Sequence, residues 1–249
     1  MTSQSRPLEG RIAVVTGATR GIGYFAAKAL AQAGAHIVAL GRTQGALEEL
    51  DDEIRGLGGA ATLVPLDLKD GPGIDRLGAA IHERWGKLDI LLANAGILGT
   101  LSPLGHVKAK DWDDVMAVNV TANWRLLRTL DPLLKASDAG KVIFLSSGVA
   151  QDLKPFWGPY AVSKAALEAL ARTYAHETAR TPIRVVIVNP GPMRTQMRAK
   201  AMPGEDPETL PHPSELAPSL VELASPDFDK SDIIFDFATK KFLSFRAAA

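Results

Sequence analysis

The chain has 249 residues, 46 % of them hydrophobic and 22 % charged, with 28 basic and 28 acidic side chains and no cysteine. That composition belongs to a globular protein with a full core rather than to a disordered or fibrous one, and an α/β chain of this length commonly stays one domain. Zero net charge provides no electrostatic footprint for nucleic acid or an anionic membrane, and a chain without cysteine has no disulfide, no thiolate catalysis and no cysteine-held zinc.

Residues 1–7 are polar and lack the apolar stretch of a secretory signal. No run approaches the roughly 18 apolar residues of a membrane span, so the cytoplasm is the expected compartment and no membrane partner is expected. Seven short apolar runs read as strands: 12–15, 36–40, 61–66, 88–93, 141–145, 184–189 and 233–237. Stretches of helical period lie between them, which predicts an α/β fold: a doubly wound, mainly parallel sheet with helices on both faces, in one domain spanning 1–249.

The first predicted strand leads into Thr16-Gly17-Ala18-Thr19-Arg20-Gly21-Ile22-Gly23 and then an Ala-rich helix. Glycines let backbone approach a pyrophosphate and turn tightly into a helix whose first amides and dipole attract negative charge. Between a buried strand and a helix, this turn reads as a dinucleotide cradle, although three residues separate its first two glycines, unlike the commonest fingerprint. Tyr24 and Lys28, four apart in that helix, read as ordinary helix residues.

After the second strand an NAD site wants a carboxylate for the ribose hydroxyls. Here the sequence is Gly41-Arg42-Thr43, with no acid before Glu48. The Arg42 guanidinium suits a 2′-phosphate, with Arg20 as a possible second cation, so NADP(H) is expected over NAD(H). Asp67, ending the third strand beside Leu68, is either an adenine acceptor or a turn cap. Asn94-Ala95-Gly96 follows the fourth strand, where a small backbone passes close to a cofactor ribose or an amide side chain ties neighbouring strands; both can hold together.

The fifth predicted strand ends at Leu145, just before Ser147, and thirteen residues after Ser147 comes Tyr160-Ala161-Val162-Ser163-Lys164. Residues i and i+4 share a helix face. A phenol, with an ordinary pKa of about 10, is a poor proton donor or acceptor at neutral pH unless a cation lowers it. A unit charge about 4 Å away contributes roughly 4 kcal/mol at an effective dielectric of about 20, enough for up to roughly three units. The trio therefore suits proton transfer at a carbonyl, with the Ser147 and Tyr160 hydroxyls stabilising alkoxide charge.

The least regular stretch, 190–213, is rich in Pro and Met and is expected to form a mobile substrate lid from about 191 to 213. The pocket is expected to draw Leu98, Leu153, Phe156, Trp157, Met193, Met197 and Met202, an apolar or aromatic lining. The five histidines show no ligand spacing, so no metal is expected.

With the glycine turn, Asn94-Ala95-Gly96, Asn119, Ser147, Tyr160, Lys164 and Pro190-Gly191, the chain resembles the short-chain dehydrogenase/reductase family from about residue 10 to about 225. The resemblance implies a Rossmann-like fold of seven strands, a nicotinamide cofactor, and hydride transfer between that cofactor and a carbonyl or alcohol carbon. It implies Tyr160 as general acid/base, Ser147 as the hydroxyl orienting the substrate oxygen, Lys164 as ribose ligand, and Asn119 as holder of a relay water. Asn119 also reads as a satisfied buried amide. Thr195, five residues past Pro190, matches a position that meets the nicotinamide carboxamide, and otherwise reads as a helix cap. Members are commonly dimers or tetramers, so a homo-oligomer is expected. The C-terminus departs from the family's Gly-rich ending: Phe235, Phe237, Phe242 and Phe245 are expected to be buried against the core or another subunit. The alternatives are a nucleotide-binding regulator without turnover and a sugar-nucleotide epimerase, for whose substrate domain 249 residues leave little room.

Overall fold

A computed structural model describes residues 6–244. The seven predicted strands form as β1 (Ile12–Thr16), β2 (His36–Gly41), β3 (Ala60–Pro65), β4 (Ile90–Ala93), β5 (Lys141–Leu145), β6 (Arg184–Asn189) and β7 (Ile233–Asp236). They join one sheet in the order β3-β2-β1-β4-β5-β6-β7, every pair parallel. An eighth strand, β8 (Lys241–Ser244), pairs antiparallel with β7 and corrects the expected count of seven. It escaped notice because an edge strand against one neighbour needs little apolar surface: only Phe242 of its four residues is half-buried, the rest being exposed. Phe242 packs on Phe235 and Phe228 at ring-centroid distances of 5.3 and 5.7 Å, and Phe235 and Phe237 are buried, so these phenylalanines serve the core. Phe245 lies outside the described residues.

The helices divide between the two faces. On one side α1 (Gly21–Gln32), α2 (Gln44–Gly56) and α9 (Ala217–Ala224) press Leu30, Leu47, Leu50, Ile54 and Leu220 onto Ile37, Val186 and Val188. On the other, α3 (Gly71–Trp85), α5 (Ala122–Lys135) and α7 (Gly158–Glu177) pack Ile74, Leu126, Leu130 and Leu167 onto Val14, Val142 and Phe144. Burial on both faces explains why the central strands read as continuous apolar runs: all five positions of β1 and of β5 are buried.

Strand order reverses between β1 and β4, so the loops leaving their C-terminal ends diverge and open a crevice. The glycine turn leaves β1 there and Asn94-Ala95-Gly96 leaves β4. α4 (Ala109–Met116) and α5 are joined by a π-helical segment, Ala117–Thr121, with Asn119 at its centre. Among the described residues no helix is long and apolar enough to cross a membrane.

Candidate active site

Ser147 lies just past the C-terminal end of β5, and Tyr160 and Lys164 lie on successive turns of α7, which packs along that strand. Tyr160 is 8 % and Lys164 3 % exposed. Ser147 and Tyr160 line the same cleft, and Lys164 Nζ donates to the Leu145 carbonyl at 2.6 Å, which leaves the ammonium 5.7 Å from the Tyr160 ring centroid. One expectation is corrected here. Burial pushes the Tyr160 phenol up to about 12, with the nearby Ser147 hydroxyl opposing it, rather than down toward neutrality. Desolvation is the dominant influence on the phenol, while the Lys164 ammonium is directed at the Leu145 carbonyl. Burial also lowers Lys164 to about 8, against the upward pull of the Glu168 carboxylate.

Asn119 is fully buried and its amide makes three hydrogen bonds: Oδ1 accepts from Ile97 N at 2.8 Å, and Nδ2 donates to Ile97 O and to Ser163 Oγ, both at 2.9 Å. The π turn also leaves the Asn119 carbonyl to accept from Asn123 Nδ2 at 2.8 Å. The satisfied amide foreseen from the sequence is thus present, and it fastens the loop after β4 to the helix carrying Tyr160.

On the nucleotide side, Gly17 has φ +65° and a Cβ there would sit 3.1 Å from Ala95 Cα; a Cβ on Gly23 would lie 2.3 Å from the Gly17 carbonyl oxygen. The turn therefore closes only with hydrogen at both positions. Arg20 is the N-cap residue of α1, yet no side chain caps that helix and its first turn carries no acid, so its amides are left for an outside anion. This arrangement of Gly17, Thr19, Arg20, Gly21, Ile22 and Gly23 fits a pyrophosphate. Thr16 Oγ1 accepts from the amides of Asn94 and Ala95 at 3.0 Å, and Asn94 Nδ2 donates to the Thr16 carbonyl at 2.8 Å, tying β1 to β4 across the crevice. A Cβ on Gly96 would meet Asn119 Oδ1 at 3.4 Å and Lys164 Nζ at 3.6 Å, so this backbone passes directly beside both side chains. Arg42 is exposed just beyond β2. Asp67 accepts from Lys69 N at 2.9 Å, the turn role foreseen for it, and Leu68 packs against the core.

A cleft of about 360 Å³ opens over Tyr160 and Ser147, lined by Leu98, Val149, Trp157, Met193 and Met197 among others. Pro190, Gly191 and Thr195 lie on its wall; Thr195 also caps the short helix α8 (Gln196–Ala201) by accepting from Arg198 N at 3.2 Å. Three expected lining residues are elsewhere. Leu153 and Phe156, at φ +48° and +72°, turn outward and are 65 % and 59 % exposed, while Met202 belongs to a neighbouring cavity beside Arg194. Of residues 191–213, those that line the cleft reach only to Ala201 at the end of α8; the stretch is held by Arg198 on Glu205 at 2.5 and 2.6 Å and by Arg194 on Glu208 at 2.9 Å. Sequence reasoning missed Ser163, Glu168 and Asp236: Ser163 bonds Asn119, Glu168 bonds Ser146, and Asp236 lines the cleft. Their long-range partners, Asn119, Ser146 and Asn189, lie 44, 22 and 47 positions away, beyond any local pattern.

Residues 11–206 match the family model for short chain dehydrogenases. The oxidoreductase YciK of Escherichia coli K12, itself uncharacterised, is 37 % identical over 233 residues, covering 92 % of each chain. The crystal structure of a short chain dehydrogenase of E. coli CFT073 complexed with NADPH superposes with a TM-score of 0.89 at 37 % identity, over 94 % of this chain and 99 % of that one. An uncharacterised NAD-dependent oxidoreductase of Mycobacterium tuberculosis is 36 % identical over 211 residues, covering 79 % of this chain and 76 % of its own length.

Proposed function

The chain belongs to the short-chain dehydrogenase family, and from that premise we propose that it is an oxidoreductase transferring hydride between NADP(H) and the carbonyl or alcohol carbon of a small molecule, with Tyr160 as the general acid/base. The observation that carries this reading is the convergence of Tyr160 and Ser147 on one cleft, with Lys164 one turn of α7 beyond Tyr160 and held on the Leu145 carbonyl. The bound cofactor supplies the hydride. The turn Gly17–Gly23 and the amides of α1 hold its pyrophosphate, Arg42 with Arg20 meets a 2′-phosphate, and Asp67 and Leu68 flank the adenine. Asn94, Ala95 and Gly96 leave room for the ribose, whose hydroxyls Lys164 binds, while Pro190, Gly191 and Thr195 face the nicotinamide. NADPH in the similar E. coli structure supports this choice over NADH, as does the missing carboxylate after β2.

As the substrate carbon is reduced, charge develops on its oxygen; Ser147 Oγ and the Tyr160 hydroxyl donate to that oxygen and Tyr160 releases its proton to it. A phenol held near 12 is protonated at neutral pH, and an alkoxide is a far stronger base than a phenolate, so the acid role in carbonyl reduction suits it. Asn119 holds the relay water through which Tyr160 is reprotonated, residues 191–213 act as the mobile lid, and the apolar cleft selects apolar or aromatic carbonyl compounds. The chain acts as one cytoplasmic domain, assembled as a homo-oligomer. A panel of ketones, aldehydes, quinones and 3-oxoacyl thioesters, followed by loss of NADPH absorbance, tests the proposal. Tyr160→Phe should lower kcat by about 10²- to 10⁴-fold, the usual worth of a general acid, while NADPH still binds. Turnover undiminished in that variant sinks the reading.

A further inference from the structure

Glu168 is an acidic side chain buried in the core, 8 % exposed, one turn of α7 beyond Lys164, and the chemistry above makes no use of it. Acidic groups are buried only against compensation, and here the partners are specific: Ser146 Oγ donates to Glu168 Oε1 at 2.5 Å, and Gln151 Nε2 donates to Oε2 at 3.1 Å. Ser146 immediately precedes Ser147, and Gln151 lies on α6 (Val149–Asp152), the turn that follows it. Lys164 holds the carbonyl of Leu145, one residue earlier. Two successive turns of α7 therefore rivet residues 145, 146 and 151, and Ser147 is carried between the rivets.

Resting on the functional proposal above, we propose that Glu168 is a positioning residue of the active site: its carboxylate clamps Ser146 and Gln151 so that Ser147 stays aimed at the substrate oxygen, and it supplies the through-space countercharge that keeps Lys164 an ammonium. The surroundings of Lys164 leave this second task to Glu168. The ionisable groups one turn to either side of it on α7 are Tyr160 and Glu168; Ser146 and Ser147, just past β5, and Asn119 of the π segment are uncharged, and the loop after β4 presents backbone at Gly96. Asp152 of α6 lines the cleft. The upward pull of Glu168 on Lys164, against burial, agrees with the geometry.

Glu168→Gln keeps the shape and an acceptor for Ser146 but removes the charge, whereas Glu168→Ala removes both. Titration of the 13Cε-labelled lysines by NMR, with the Lys164 signal assigned from Lys164→Met, should show the Lys164 midpoint lowered in Glu168→Gln. An unmoved midpoint overturns the countercharge. With NADPH and whichever panel carbonyl the parent reduces, Glu168→Ala, checked for native circular dichroism, should lose roughly 100-fold in kcat, as expected for a displaced reacting group, with KM little affected. Glu168→Gln should recover most of that loss at acid pH while its alkaline limb moves to lower pH. Parental kcat in Glu168→Ala overturns the clamp. The NMR arm needs no turnover, so it decides the inference even if the panel finds no substrate, an outcome that counts against the functional proposal alone.

Discussion

Two side chains at this site are governed by what surrounds them rather than by their spacing. Tyr160 and Lys164 stand one turn apart as the sequence required, yet burial moves the phenol up to about 12 and the ammonium down to about 8, each toward its neutral form. Arg42 is the opposite case, an exposed cation whose role depends on what it meets. If it grips a 2′-phosphate, Arg42→Ala removes a charge-assisted contact worth about 1.5–3 kcal/mol. The Kd for NADPH should then rise by roughly 10- to 100-fold while that for NADH stays put, measured by calorimetric titration of both. Equal weakening of the two would assign Arg42 to another task.

Among the elements, the junction of α4 and α5 shows how a helix defect becomes a fastening. A regular α-helix through 117–121 would turn Asn119 off the line to Ile97; the π turn aims it there, and the amide satisfies both backbone groups of that residue. Asn119→Ala leaves a buried N–H and C=O without partners, at about 1–3 kcal/mol for each group. We expect unfolding free energy to fall by about 2–4 kcal/mol in a urea titration, with the loss concentrated, in hydrogen exchange, at the amides of the loop after β4. Protection unchanged at Ile97 would show that another group takes over the bond. The same element logic explains the outward loop at 153–156: α6 ends with Leu153 in the left-handed region, which turns the chain away from the cleft.

For the whole molecule, both helical layers rest on one eight-stranded sheet, so we expect fluorescence and circular dichroism to report one coincident unfolding transition. Its pH dependence follows from two buried amines. Lys164 and Lys141 are both held near 8 against an ordinary 10.5, in each case chiefly by burial. Below about pH 8 both states carry these protons and folding bears the full cost of burying them; between 8 and 10.5 only the unfolded chain binds them, so stability climbs with pH through that window. Above pH 10 the trend reverses, because Tyr160, raised to about 12, stays protonated in the folded chain while the unfolded phenol ionises. Urea midpoints between pH 7 and 10 should therefore rise, and Lys164→Met should flatten the rise and stabilise the protein at pH 7 by up to about 3 kcal/mol. A midpoint that falls from pH 7 to 9 contradicts this assignment.

Strand positions, the parallel sheet, the cradle glycines and the order of Ser147, Tyr160 and Lys164 were legible in the chain, because each is a local matter of period, turn chemistry or spacing along one element. Long-range partners were not. That Asn119 reaches Ile97 and Glu168 reaches Ser146, and that Leu153 and Phe156 face solvent, depends on residues 22 positions apart or on a left-handed turn. β8 is of the same kind, since an edge strand needs only a neighbour with open hydrogen bonds. Above all, the protonation of the phenol was settled by packing: sequence spacing sets how near a cation stands, but only the folded core decides whether water is there to solvate the charge.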